Sequence, residues 1–286
     1  MNEVLRPSTH ARHYAEPPQK VDADGTRHWI TRAANFVTVI SETPAGTVLA
    51  RNNPDEYLVL LPPGTEAVAE AGGTRIETKG DSLIIAPPGE SQIRLRTSGT
   101  VVRVFSNKAE DLTAAAVNAA TYADGAPEVA PLTPWPDPAG GFRLHHYDLS
   151  NIASPDPGPL KMRVFRSTNL MINIFMPWVT RRDEKKLSPH SHDDFEQISI
   201  GLKGAFAHHL RYPWSPDKTS WREDEHERYD NSPSVLVIPA RVIHTSQDVG
   251  QGTTWLVDVF GPPRMDFSSK PSFVLNASEY PMPNTH

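Results

Sequence analysis

The chain has 286 residues, of which 28 are proline and none is cysteine, and its formal net charge is -6. This length suffices for one large or two ordinary domains, each with its own core. The absence of cysteine excludes disulfides and thiolate chemistry, so any metal site must use histidine and carboxylate ligands. The acidic balance argues against a nucleic-acid partner, and no apolar run approaches the roughly 20 residues of a membrane span. Proline at about twice its ~5% average usage favours turns and strands. We therefore expect a β-rich, cytoplasmic protein.

Five stretches follow one another along the chain. Residues 1–28 are polar and irregular, and they predict an arm laid over the surface or across a partner subunit. Residues 29–122 contain short apolar segments separated by Pro-Pro-Gly and Gly-Gly turns, which is typical of a β-sandwich or barrel. Residues 123–160 predict a proline-rich linker that ends in the opening strand of a second barrel. Residues 161–267 repeat the strand-and-turn pattern, and residues 268–286 predict an irregular tail.

The second half of the chain repeats the first. The matched positions are Arg32 with Arg166, Asn35 with Asn169, Glu56 with Glu196, Pro87 with Pro239, and Tyr122 with Tyr280. The offset between the copies grows from 134 residues at the first match to 158 at the last, as expected if the second copy carries loop insertions. The repeat predicts two copies of one all-β barrel.

A group of potential metal ligands lies in the second copy. His190, His192 and Glu196 share parity, so their side chains would lie on one face of an extended segment. His244 follows an apolar strand and the turn at Pro239. Three imidazoles and one carboxylate suit a single divalent transition metal such as Fe, Mn, Ni, Co or Zn.

These residues resemble the two motifs of the cupin superfamily, in which HxH is followed by Glu and Gly, and a proline-containing turn is followed by His. The matching residues are His190, His192, Glu196, Gly204, Pro239 and His244. The interval from Glu196 to Gly204 is one residue longer than in the family pattern. The resemblance implies an all-β bicupin, with two double-stranded β-helix (jelly-roll) barrels in tandem, and a metal held by His190, His192, Glu196 and His244.

The repeat also indicates which barrel holds the metal. Projected onto the first copy, the four ligands fall on Ala50, Asn52, Glu56 and Gln92. One carboxylate without imidazoles does not hold a first-row metal well. We therefore expect the first barrel to be metal-free.

The metal pattern and the resemblance lead to three functional hypotheses. The first is a metal-dependent enzyme that acts on a small oxygenated organic substrate, with dioxygenase-like cleavage as the leading reaction. The second is a redox-neutral isomerase, lyase or decarboxylase that uses the same site. The third is a non-catalytic protein that binds or senses a small ligand. In each case we expect a homodimer.

Two further residues are candidates for catalysis. His208 shares the parity of Glu196 on a continuing strand and is a candidate acid/base group, with a packed or outward-facing histidine as the alternative. Arg241 precedes His244 by three residues and is a candidate partner for a substrate carboxylate, with a surface position at the barrel rim as the alternative. The charged run 181–186 predicts a solvated loop.

Overall fold

The computed structural model describes residues 5–284, which form two β-barrels in tandem. Of the predicted arm and tail, residues 1–4 and 285–286 lie outside the described part. The first half contains β1 (Thr9–Ala11), β2 (Lys20–Val21), β3 (Arg27–Arg32), β4 (Phe36–Thr43), β5 (Val48–Asn53), β6 (Tyr57–Leu61), β7 (Ala67–Ala71), β8 (Thr74–Thr78), β9 (Ser82–Ala86), β10 (Gly89–Leu95), β11 (Gly99–Ser106), helix α1 (Glu110–Ala115) and a 3-10 turn (Ala119–Tyr122).

The second half repeats this order with longer loops. It contains β12 (His145–Asp148), a 3-10 turn (Leu149–Asn151), β13 (Met162–Arg166), β14 (Met171–Phe175), β15 (Gln197–Lys203), β16 (Phe206–Arg211), a 3-10 turn (Lys218–Ser220), β17 (Glu225–Tyr229), β18 (Ser234–Ile238), β19 (Ile243–Asp248), β20 (Trp255–Phe260) and helix α2 (Met265–Ser268). None of the helices within residues 5–284 is long and apolar enough to cross a membrane.

Each barrel consists of a large and a small antiparallel sheet. In the first barrel, the large sheet has the strand order β12-β9-β6-β11-β4-β3-β2 and the small sheet has the order β5-β10-β7-β8. In the second barrel, the large sheet has the order β1-β18-β15-β20-β14-β13 and the small sheet has the order β17-β16-β19. Strands β6 and β18 are buried along their whole length, as their continuous apolar sequences predict. At the turn after β15, Gly204 has a φ of +86°, and a Cβ there would lie 2.5 Å from Thr254 Cγ2, so only glycine fits.

The two barrels exchange strands. β1, from the predicted arm, pairs with β18 of the second barrel. β12, which was expected to open the second barrel, instead pairs with β9 at the edge of the first. The expectation for β12 is therefore wrong, because a short strand can add to any unpaired sheet edge and its own sequence does not say which. The exchange ties each barrel to the other.

The large sheets pack against each other through one apolar core shared by both barrels. Phe36 and Leu58 of the first barrel belong to the same buried cluster as Phe165, Ile172 and Ile198 of the second. Separate clusters fill the inside of each barrel. The two barrels therefore form one body joined by a hydrophobic interface.

Equivalent side chains of the two copies make equivalent contacts. Asn118 bonds both backbone groups of Arg32, donating to its carbonyl at 2.8 Å and accepting from its N–H at 3.0 Å. Asn276 makes the same pair with Arg166, at 2.8 and 3.1 Å. The segment 268–284 has no helix or strand after Ser268, as expected for an irregular tail, but through Asn276 it occupies the place that the segment after β11 has in the first copy.

Candidate metal centre

Three of the four predicted ligands converge. The segment before β15 lies antiparallel to the start of β19, with His190 N–H donating to His244 O at 3.1 Å and His244 N–H donating to His190 O at 2.8 Å. His192 lies two residues further on, and its ring faces those of the other two. One ring nitrogen from each of the three histidines lies within 4.8 Å of the other two, and no other such group occurs in residues 5–284.

Two of these imidazoles are held in a ligand-ready tautomer. His190 Nδ1 donates to Ser188 O at 2.9 Å, and His244 Nδ1 donates to Val242 O at 3.0 Å. A carbonyl only accepts, so both rings carry the proton on Nδ1 and leave Nε2 with a free lone pair. His244 Nε2 is buried without a hydrogen-bond partner, a costly state for a polar atom that a bound cation would relieve.

Burial keeps the inner imidazoles neutral. It lowers the pKa of His192 to about 4 and that of His244 to about 3. Neutral imidazole is the form that ligates metal. The tautomers, the unpaired nitrogen and the chemistry of the three donors therefore fit a divalent transition metal.

The prediction that Glu196 is the fourth ligand is wrong. Its carboxylate is 1% exposed and faces the first barrel, where it accepts hydrogen bonds from Ala34 N–H at 2.6 Å and Tyr122 OH at 2.9 Å. Its repeat counterpart Glu56 does the reverse: it accepts from Thr168 N–H and Oγ at 3.1 and 3.0 Å and from Tyr280 OH at 2.7 Å. Both glutamates join the two barrels.

Gln197 occupies the position expected of the fourth ligand. β15 begins at Gln197, and neighbouring strand residues point to opposite faces, so Gln197 faces the histidines while Glu196 faces away. Gln197 Oε1 accepts a hydrogen bond from His192 Nε2 at 3.0 Å, so the ring of His192 carries its proton on Nε2 and offers Nδ1 as the ligand atom. The sequence held a signal for this, because counting from Gln197 restores the family interval to Gly204.

A polar chain continues from Gln197 into the barrel. Gln197 Nε2 donates to Ser199 Oγ at 2.9 Å, and Ser199 Oγ donates to Asp258 Oδ1 at 2.6 Å. Burial raises the pKa of Asp258 to about 6. Asp258 was not among the predicted site residues, because a single acid within the apolar run of β20 gives no motif.

The histidines open onto a cavity of about 60 Å³. A cavity of this size admits a few waters or a compact ligand. Phe175, Trp178 and Leu256 provide apolar walls, and Gln197 and Asp258 provide polar ones. His192 and His244 are thus buried, while His190 lies at the exposed side of the cavity.

Arg182 places a positive charge in the cavity wall. Its guanidinium donates to Ser246 O at 2.8 Å and to Ser188 Oγ at 2.7 Å, and its backbone N–H donates to Asp248 Oδ1 at 2.7 Å. The expectation of a solvated loop at 181–186 therefore fails at this residue, since a charge run does not reveal which member turns inward.

The two predicted catalytic residues lie outside the ring of histidines. His208 is 1% exposed, packs against the Tyr229 ring at 4.8 Å and contacts Ser246 Oγ at 2.7 Å through Nδ1. Burial lowers the pKa of His208 to about 3. Its contact with the cavity runs through Ser246, which lines it.

Arg241 lies on the turn before β19 with a φ of +67°. Its N–H donates to His192 O at 2.6 Å and its Nε donates to Asp193 O at 3.3 Å. It does not line the cavity. Arg241 therefore supports the backbone beside His192, and its role toward a substrate stays a prediction.

The first barrel differs at the equivalent positions. Arg51 pairs with Ser91 across β5 and β10, as His190 pairs with His244, and Ser91 Oγ contacts Tyr57 OH at 2.8 Å. Ala50 and Asn52, onto which two ligands were projected, are exposed on the outer face. Ala50 and Gln92, onto which His190 and His244 were projected, are also partners across β5 and β10, and neither carries an imidazole.

No family model and no curated protein matches the chain. Among solved structures, AerE from Microcystis aeruginosa matches with a TM-score of 0.56 and 8% identity over 91% of this chain and 99% of that chain. The oxalate decarboxylase of Lactobacillus farciminis matches with 0.59 and 14% over 92% and 88%. That of Bacillus subtilis matches with 0.60 and 11% over 97% and 84%. The chain therefore has the bicupin fold, and at these identities the likeness concerns the fold alone.

Proposed function

We propose that His190, His192 and His244 hold one divalent transition metal, and that the protein is a metal-dependent cupin enzyme acting on a small oxygenated organic anion. The observation that carries this proposal is the convergence of three imidazoles, with the buried His244 Nε2 left unpaired. Gln197 Oε1, beside His192, is the candidate fourth donor.

The charge of the donor set favours an anionic substrate. Three neutral imidazoles and a neutral amide leave the positive charge of a divalent ion uncompensated, whereas the predicted Glu196 would have offset part of it. Arg182 adds a positive charge in the same wall, next to the carboxyl groups of Asp248 and Asp258. A compact carboxylate or enolate would offset part of the charge of the ion.

A bound ion would supply Lewis-acid polarisation of a coordinated oxygen and a place for dioxygen beside it. The chain's own groups do the rest. The Arg182 guanidinium orients the anion, and the walls formed by Phe175, Trp178 and Leu256 limit the access of water. The Asp258 carboxyl, whose Oδ1 accepts from Ser199, holds a proton at Oδ2 near the substrate.

The leading reaction class is dioxygenase-like. An ion held by His190, His192 and His244 would keep open coordination positions for an anionic substrate and dioxygen, as in the non-haem iron oxygenases. The buried Asp258 carboxyl in the cavity favours a second candidate, redox-neutral lyase, isomerase or decarboxylase chemistry, in which a side chain must give or take a proton. The homodimer and the cytoplasmic location stay predictions.

Oxygen uptake separates the two candidates. The protein is loaded anaerobically with Fe(II) or with Mn(II), the metal named for the Bacillus subtilis decarboxylase, and given catechols, diketones, hydroxy acids and oxalate. Oxygen consumption that the Fe(II) form shows and His244→Ala lacks supports the dioxygenase. Product formation without oxygen uptake supports the redox-neutral class. Ligand binding without turnover under any metal would contradict an enzyme and favour the sensor.

A further inference from the structure

A second cavity, of about 500 Å³, lies between the two barrels. It shares no lining residue with the cavity beside the histidines. Its size falls within the roughly 300–1,000 Å³ typical of small-molecule sites. Ile152, Met176 and Trp255 give it apolar walls, and Arg163 and Asp81 are its two charged residues.

Arg163 is a buried cation in the wall of this cavity. Its side chain belongs to a residue that is 3% exposed, its Nη1 donates to Leu149 O at 2.6 Å, and its Nε is buried without a hydrogen-bond partner. It forms no ion pair with any carboxylate of residues 5–284. Buried guanidinium groups are normally in direct contact with an anion, whereas the charge of Asp81 acts on Arg163 without an ion-pair contact.

The first barrel has a tryptophan at the position equivalent to Arg163. Trp29 is the counterpart of Arg163, since each pairs with the equivalent strand residue, Ile40 or Ile174. The Trp29 ring is 4% exposed, stacks on His13 at 5.5 Å and donates its Nε1 to Glu16 O at 2.9 Å. The first barrel thus has a packed aromatic ring at this position, while the second barrel has a cation beside a cavity.

We propose that the inter-barrel cavity binds a small aromatic monocarboxylate, with its carboxylate on Arg163 and its ring against Met176 and Trp255. The apolar walls accept the ring that Trp29 supplies in the other copy. The anion gives Arg163 the partner that the chain itself does not.

The cavity adjoins the candidate metal centre through two strands. Met176 and Trp255 line the inter-barrel cavity, while their chain neighbours Phe175 and Leu256 line the cavity beside the histidines. Trp255 Nε1 donates to Phe175 O at 2.9 Å. An occupant of the inter-barrel cavity therefore contacts residues directly joined to the walls of the other site.

Asp81 offers the sharpest test of the charge. Burial raises the pKa of Asp81, and the positive charge of Arg163 opposes that rise, so the two side chains interact electrostatically. Its φ is +47°, a conformation that asparagine tolerates, so Asp81→Asn removes the charge with little strain. Because an ionised Asp81 competes with an incoming anion for Arg163, the variant should bind the anion more tightly.

Isothermal titration of the full-length protein with phenylacetate, and with neutral phenylacetamide as the matched control, tests the proposal. We expect phenylacetate to bind, phenylacetamide and Arg163→Met to weaken binding about tenfold or more, and Asp81→Asn to tighten it roughly threefold to tenfold. His244→Ala should leave phenylacetate affinity within about twofold of the parent, since the metal cavity is separate.

Three results would overturn the site: no phenylacetate binding by the parent protein, an unchanged affinity in Asp81→Asn, or loss of binding in His244→Ala, which would place the ligand at the histidines. If Arg163→Met does not fold, Asp81→Asn alone decides. Failure of the metal proposal looks different, because the protein would then lack metal while phenylacetate binding persisted.

Discussion

The variant Glu196→Ala tests whether Glu196 stabilises the inter-barrel contact or binds the metal. The change removes the acceptor of the Ala34 N–H and of the Tyr122 hydroxyl, both within the inter-barrel contact. Each buried donor left unpaired costs about 1–3 kcal/mol. Part of this loss is offset, because the variant no longer carries the desolvation cost of a buried carboxylate. We expect a loss of about 3 kcal/mol in the free energy of unfolding, with metal content unchanged.

Glu56→Ala is the matched control, because Glu56 makes the reciprocal contacts with Thr168 and Tyr280. Urea denaturation at pH 7 should show a similar loss for both variants, and elemental analysis should show the parental metal content in both. Loss of metal in Glu196→Ala alone, with stability preserved, would refute the reasoning and restore Glu196 as a ligand.

The same residue gives a dependence of stability on pH. Burial raises the pKa of Glu196 from 4.5 to about 7. Between about pH 4.5 and 7 the folded state therefore holds a proton that the unfolded state releases. The contribution of Glu196 to the free energy of unfolding is fully present below about pH 4.5 and is lost as the pH rises to about 7. By linkage the span is about 3 kcal/mol. Glu196→Gln should flatten this part of the pH profile of unfolding, and a profile identical to the parent would contradict the shift.

Three further changes have expected outcomes. Gln197→Glu adds a carboxylate beside the histidines and should tighten metal binding by about tenfold or more in a chelator competition, whereas an unchanged constant would exclude position 197 from the ligand set. Gly204→Ala should cost about 2–3 kcal/mol in urea denaturation, because its Cβ meets Thr254, while Gly252→Ala, with open space around it, should cost about 1. Arg182→Met should weaken substrate-anion binding by about tenfold with the metal content kept, and loss of metal instead would mean that Arg182 supports the ligands.

Much of the fold was predictable because its signals are local or repeated. Pro-Gly turns mark the strand ends, and the growing offset between Arg32/Arg166 and Tyr122/Tyr280 marks two copies of one barrel. The structure gives the repeat a physical meaning, since Glu56 and Glu196 make reciprocal contacts across the interface. The partners of β1 and β12 were not predictable, because pairing at a sheet edge depends on tertiary position.

The site was predictable as far as its histidines and no further. The prediction counted alternating side chains from His190 as if the strand were continuous. The chain bends at Asp193 and Asp194 before β15 begins, so the residues that face the histidines in β15 are shifted by one position. That shift exchanges Glu196 for Gln197. Arg182 was missed because its orientation is set by contacts with distant backbone groups, which no local pattern encodes.

Elemental analysis of untagged protein tests the central claim most directly. The half-buried ring of His209 and the exposed ring of His226 approach to 2.9 Å between their Nδ1 atoms and can chelate a divalent ion, so His226→Ala serves as the background for every sample. After loading with Fe(II) or Mn(II) and desalting, we expect about one equivalent of metal in this background and less than about a tenth of that when His190→Ala or His244→Ala is added. A protein that holds no metal, or a His244→Ala variant that keeps it, would contradict the three-histidine centre.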